Sequence, residues 1–224
     1  MQPLLMTVIF TLFLGELARV PSSGQNIPYA IFAYAGLLIW TFFSGAISVG
    51  GQSLIGNAHL ITKIYFPRLI IPCAVIAGRL IDLLISLTLL TILMFFYRIP
   101  VTRYVLFLPV PLALTILLAL GFSMLTAALN VKYRDIGVAL PVLIQLWMFT
   151  SPVVYPTSLV PQRWRGVYAL NPLVGILENF RASLFGGIGF DWTALAIATF
   201  ITFSLLVYSA YAFRRADKSF ADLI

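Results

Sequence analysis

Few residues in this sequence could carry covalent chemistry. Gly121-Phe122-Ser123 sets a serine behind a small residue in an apolar run, the local arrangement of an intramembrane serine nucleophile. Such a serine needs a base to take its proton. The single histidine, His59, lies in a polar loop before the third apolar run. Paired carboxylates for acid–base work are missing, because Asp82 has no acidic neighbour and Glu178 is followed by Arg181 instead. The lone histidine excludes a multi-histidine metal site, and the lone Cys73 excludes an internal disulfide. No Gly-x-x-x-x-Gly-Lys-Ser/Thr string occurs, so nothing here binds ATP through a P-loop. The expectation is a chain with no catalytic residues, no metal and no cofactor, whose energy source is external or electrochemical.

What remains is ionic chemistry inside apolar sequence. Arg79 and Asp82 stand at i, i+3 and so reach each other on one helix face. If their span starts at Leu69, the pair lies deep, where ionisable residues mark functional sites. If it starts near Leu80, Arg79 snorkels to the interface. Both placements are open on the sequence.

These residues must be held by membrane helices. The chain of 224 residues is 61% hydrophobic and 9% charged, against roughly 25% charged in soluble domains. Its mean hydropathy is +1.02. Runs of this length without alternation indicate membrane-spanning helices rather than a β-barrel. The net charge of +7 points to loops beside anionic lipid. No basic run with interleaved aromatics suggests nucleic acid. No cleavable signal peptide is apparent at Met1–Leu14, which lacks a basic leader.

The expected fold is all-α, a polytopic protein with six transmembrane helices. The spans are Pro3–Leu17, Ile31–Gly50, Leu69–Tyr97, Val105–Leu129, Val138–Val154 and Thr193–Phe213. Thr150-Ser151-Pro152 should be irregular. Tyr155–Trp192 holds a short helix that Asn171 caps and Pro172 starts. Leu173, Ile176, Leu177, Phe180 and Leu184 give that helix one apolar face, with Glu178 and Arg181 paired near its polar side. Too short to cross, it dips into the interface or folds back as a re-entrant element. Six spans put both termini on one side. All three lysines (Lys63, Lys132, Lys218) fall on that side, which the positive-inside rule then favours as cytoplasmic.

The stretch Gly51–Arg68 does not belong in lipid. Gln52, Ser53, Asn57, His59, Thr62, Lys63 and Arg68 are polar, while Leu54, Ala58, Ile61 and Tyr65 recur on one helical face. It reads as an amphipathic helix, either resting on headgroups or pushed by a soluble partner.

Several strings together resemble the permease subunits of type-2 bacterial ABC exporters for polysaccharides and polyol phosphates. They are Tyr34-Ala35-Gly36-Leu37-Leu38-Ile39-Trp40, Asn57 through Arg68, Asn130-Val131-Lys132-Tyr133-Arg134-Asp135, Ser151-Pro152-Val153-Val154-Tyr155, Tyr168-Ala169-Leu170-Asn171-Pro172 and Phe220-Ala221-Asp222. The match runs from about Gln2 to Ile224 in one order. The resemblance implies a single transmembrane domain over residues 1–224, a homodimer, and two copies of a cytoplasmic ATP-binding subunit. The implied substrate is a lipid-linked glycan crossing the bacterial cytoplasmic membrane. Asn57, His59, Lys63, Tyr65, Arg68, Lys132, Tyr133, Arg134 and Asp135 are the implied contacts to the ATPase. Tyr155–Trp192 is implied to form short helices near the outer face of the pore. Such permeases begin with an amphipathic interfacial helix, whereas this sequence starts at Met1-Gln2-Pro3, inside the first span.

Within that frame Trp40, Phe43, Trp147 and Phe149 are candidates to stack on sugar faces along the polymer pathway, or to pack in the core. A permease for drugs or lipids shares the six-span plan but not the Lys-x-Tyr-Phe-Pro-Arg and Asn-Val-x-Tyr-Arg-Asp strings. A membrane enzyme acting on lipid-linked sugars would need clustered acidic or histidine residues that are absent.

Overall fold

The computed structural model describes residues 2–17, 27–57, 59, 67–100, 103–133, 135–185 and 189–217. All the regular structure among them is helical. Helix α1 (Gln2–Phe10) runs into a π-helical stretch, Thr11–Leu17. Then follow α2 (Tyr29–Gly56), α3 (Ile70–Phe96), a 3₁₀ turn Arg103–Phe107 and α4 (Pro109–Lys132). After α5 (Asp135–Phe149) come the short α6 (Gln162–Tyr168), α7 (Pro172–Leu184) and α8 (Trp192–Asp217).

Among the described residues four stretches are long and apolar enough to cross a membrane: Tyr29–Gly56, Ile70–Phe96, Arg103–Lys132 and Trp192–Ala216. Leu5–Gly15 and Asp135–Phe149 are apolar but shorter. At about 1.5 Å per residue, α5 falls short of a ~30 Å hydrocarbon core. It stops at Phe149 because Thr150-Ser151-Pro152 turns, as the sequence suggested.

Helix α2 is the axis of the fold. Its first half, Tyr29–Trp40, is apolar on nearly every side, which is the pattern of a helix enclosed by others. Ile31 through Ile39 have essentially no exposed surface. Helices α1, α3, α4, α5 and α7 all pack on it. The α2–α4 seam is close because it is small: Gly50 faces Ser123, whose hydroxyl donates to the Ala46 carbonyl at 3.0 Å. That bond gives the buried Ser123 a structural role, in place of the nucleophile's role that Gly121-Phe122-Ser123 first raised.

Helix α3 is unbroken from Ile70 to Phe96, with no break at Gly78. Arg79 therefore lies nine residues inside the helix, ~14 Å along its axis. Its outward face carries exposed Ile81, Leu84, Ile85, Phe95 and Phe96.

Two expectations change. The first half of the polar stretch, Gly51–Gly56, continues α2 rather than starting a new helix; Asn57 ends it, its amide donating to the Ser53 carbonyl at 2.7 Å. Ala58 and residues 60–66 lie outside the described residues. Helix α7 is not one-sided: every residue except Glu178 is buried. It packs among α2, α4 and α8 rather than laying a single face on its surroundings.

Candidate functional site

A cavity of about 510 Å³ opens between α1, α2, α3 and α5. Helix α2 supplies Leu37, Trp40, Thr41, Ser44, Gly45 and Ser48, at the spacing of one helical face. Helix α5 supplies Pro141, Ile144, Gln145, Met148 and Phe149, and α3 supplies Arg79. The guanidinium of Arg79 lies across α2 over Gly45, where even a methyl group would stand 3.3 Å from its Cζ and Nη1. Arg79 Nη1 bonds Asp82 Oδ2 at 3.3 Å, with Asp82 on the exposed side. Thr41 donates its hydroxyl to the Leu38 carbonyl at 3.2 Å and Ser44 to the Thr41 carbonyl at 3.4 Å. Their lone pairs remain to accept hydrogen bonds. The wall thus joins an aromatic face, hydroxyl acceptors, an amide and one cation.

Of the residues singled out for the polymer pathway, Trp40 and Phe149 line this cavity. Phe43 and Trp147 sit behind it in a ring cluster with Phe122. Phe43 meets Trp147 edge-on at 5.2 Å, and Phe122 meets Trp147 at 4.8 Å. Phe43 has no exposed surface within this chain. Trp147 also donates its indole N–H to Asn171 Oδ1 at 3.2 Å and borders a second cleft with Trp164 and Tyr168. The sequence reading passed over Thr41, Ser44, Ser48 and Gln145. The visible signal was a hydroxyl stripe at i, i+3, i+7 in an otherwise apolar span.

At one end of the fold, the end of α2 and the α4–α5 turn are tied together. Asn130, buried, donates to the Gly51 carbonyl at 3.0 Å and accepts from the Gly137 N–H at 2.9 Å. This links the coupling candidates Asn57 and His59, just past α2, to Lys132, Tyr133 and Asp135. Lys132 lies over the exposed Tyr133 ring at 5.1 Å, and Asp135 sits in the first turn of α5, where its charge suits the helix dipole. Arg68 precedes α3. Lys63, Tyr65 and Arg134 lie outside the described residues.

At the other end, Arg181 does not lie on a polar face paired with Glu178. Its guanidinium turns inward, donating to the carbonyls of Pro152 at 2.7 Å, Val153 at 2.6 Å and Phe32 at 3.3 Å. It also lies 3.7 Å from the Phe32 ring centre. Burial pulls Arg181 down to about 9, against the opposing charge of Glu178, so it is charged at neutral pH. Glu178 is itself raised by burial, with Arg181 pulling the other way. Asn171 caps α7 through Leu173 N–H and also donates to Thr150 O and Ser151 Oγ. Tyr29 donates to Val154 O at 2.7 Å. The turn after α5 is thus held from α2 and α7 together.

Among the described residues no cluster of histidine, cysteine or carboxylates could hold a metal ion. Comparison with known proteins fits a chain of apolar helices. The family described as ABC-2 type transporter matches residues 1–185. The chain is 28% identical over 227 residues to an O-antigen export system permease protein RfbA of Myxococcus xanthus, covering all of this chain and 85% of the relative. It is 24% and 23% identical to two proteins of the same name from Klebsiella pneumoniae, again over its whole length and 85% of theirs. The chain is a transporter component and belongs to the ABC-2 type transporter family.

Proposed function

We propose that this chain is the membrane-spanning subunit of an ATP-driven exporter. Its cargo is a lipid-linked polysaccharide of the O-antigen type, or a teichoic-acid-like polymer, carried across a bacterial cytoplasmic membrane. In this reading the chain is one transmembrane domain, works as a homodimer with two cytoplasmic ATP-binding subunits, and has both termini in the cytoplasm. Helix α1 with its π-helical extension, and α5 with the turn that follows it, complete six crossings, and α6 and α7 are re-entrant elements at the outer face. The observation that carries the reading is the cavity of Trp40, Thr41, Ser44, Ser48, Arg79, Gln145 and Phe149 in an otherwise apolar fold. An aromatic face with hydroxyl acceptors suits a ring of sugar hydroxyls. The names of the relatives point the same way.

Mechanically, closure of the ATP-binding subunits would push on the segment after α2 and on the Lys132–Asp135 turn. The push would then shift the helices that border the cavity. Deleting the gene is expected to remove the surface polysaccharide while lipid-linked polymer accumulates inside, and the intact gene should restore both. Normal surface polymer in the deletion strain would sink the reading.

Coupling has its own test. Tyr133 is exposed beside Lys132, so Tyr133→Cys should cross-link to the ATP-binding subunit in membranes. Free labelling of that cysteine by an impermeant reagent added outside intact cells would show the opposite topology.

A further inference from the structure

We infer that Arg79, with the hydroxyl stripe of α2, forms a binding site for a phosphate-type anion carried by the exported ligand. The inference rests on the exporter reading for the source of that anion and deepens it. Three observations converge. Arg79 stands well inside α3 and lines a cavity rather than reaching an end of the helix; a cation held there is costly unless it has work to do. The site is shaped for the guanidinium, because Gly45 leaves the surface on which it lies. Among the described residues only Nη1 is engaged, by a single bond of 3.3 Å to the exposed Asp82, so the planar fork still has donors to offer two anion oxygens.

Around the fork, Ser44 and Thr41 present acceptor lone pairs and Gln145 faces them from α5. Such neighbours suit hydroxyls on the group that bears the anion. Asp82 is the built-in rival for Arg79: it neutralises the cation when the site is vacant and competes with the incoming anion. A transporter gains from that competition, because a ligand bound too tightly does not leave.

The test uses the full-length chain in lipid nanodiscs and the fluorescence of Trp40, with Trp40→Phe as the variant that lacks the reporter. Decyl phosphate is titrated against decyl maltoside, its neutral counterpart, at constant ionic strength. Decyl phosphate should give a saturable change in the wild type. Arg79→Gln should weaken it about tenfold or more, and Arg79→Lys less, since it keeps the charge and loses the fork. Asp82→Asn should tighten binding severalfold, a gain that misfolding does not imitate. Decyl maltoside should be indifferent to all three changes. Equal affinity of Arg79→Gln and wild type for decyl phosphate, or no gain in Asp82→Asn, overturns the site.

Glycerol 3-phosphate, titrated in parallel, separates the sources. Saturation by decyl phosphate alone assigns the anion to the lipid anchor, and saturation by both assigns it to the polymer repeat. Because binding is read without transport, the two readings fail separately. A chain that binds through Arg79 but exports nothing sinks the exporter alone. A working exporter whose Arg79→Gln form binds like wild type sinks this site alone.

Discussion

Replacing Arg181 by methionine is expected to cost this protein a large part of its margin of stability. The side chain is buried, and its fork satisfies carbonyls of Pro152, Val153 and Phe32. Methionine fills much of the volume but donates nothing. An orphaned buried acceptor costs ~1–3 kcal/mol, and the Pro152 and Val153 carbonyls together on the order of 2–4 kcal/mol, since such terms are not additive; the Phe32 carbonyl lies inside α2, where the helix ladder also engages it. Removing the cation also removes its own desolvation cost, which works the other way. The carbonyls decide the sign, because those of Pro152 and Val153 converge on the guanidinium from a turn outside any helix. For a chain of this size the loss corresponds to ~4–16 °C in melting temperature. Arg181→Lys should fall between, reaching one or two carbonyls without the fork. Gly36→Ala probes the same node independently, because a methyl group there meets the Val153 carbonyl and Arg181 Nη2. The double variant should lose less than the sum of the two. Thermal denaturation of purified protein reads all of these, and wild-type melting of Arg181→Met would refute the account.

The helices themselves were legible because each is a long apolar run bounded by Gly, Pro or charge. Which helix occupies the centre was not. Helix α2 and helix α3 are alike in composition, yet α2 is enclosed while Ile81, Leu84, Phe95 and Phe96 of α3 face outward. In a membrane protein the core and the lipid are both apolar, so periodicity loses the contrast it has in water. The end of α5 was legible in Thr150-Ser151-Pro152, which breaks the helix where the apolar run continues to Val154.

The site was legible by residue type and illegible by context. Trp40, Phe149 and Arg79 stand out in any reading, and the cavity brings them together. Thr41 and Ser44 do not, because membrane-helix hydroxyls commonly bond their own backbone, as Thr88 and Thr91 do in α3. Arg181 beside Glu178 resembles a local ion pair. Its acceptors come from segments 28, 29 and 149 residues away in the chain, which no local pattern encodes.

The second large effect is expected at Asn130, where the loss should be of coupling. Its side chain joins the Gly51 carbonyl near the end of α2 to the Gly137 N–H at the start of α5. Both joined segments lead directly into the polar breaks proposed to meet the ATP-binding subunit. With the amide in place, a push on either break moves α2 and α5 together, and these two helices carry most of the cavity wall. Asn130→Leu keeps the approximate volume and cuts both bonds. The cost to stability is ~1–3 kcal/mol for the orphaned Gly137 N–H in the first turn of α5, while the Gly51 carbonyl keeps its place in the α2 ladder. The separation of the two helices matters more for transport. In the complex, ATP hydrolysis should persist while export per ATP falls by about tenfold, the size of an ordinary coupling energy of ~1–3 kcal/mol. Gly137→Ala offers a check that leaves Asn130 in place: its methyl group would stand 2.9 Å from Asn130 Oδ1 and push the amide off its partners. If Asn130 acts as the tie, both variants should lower the ratio of polymer exported to ATP hydrolysed. If export and hydrolysis fall in parallel in both, Asn130 only stabilises the fold, and the push must travel by another route.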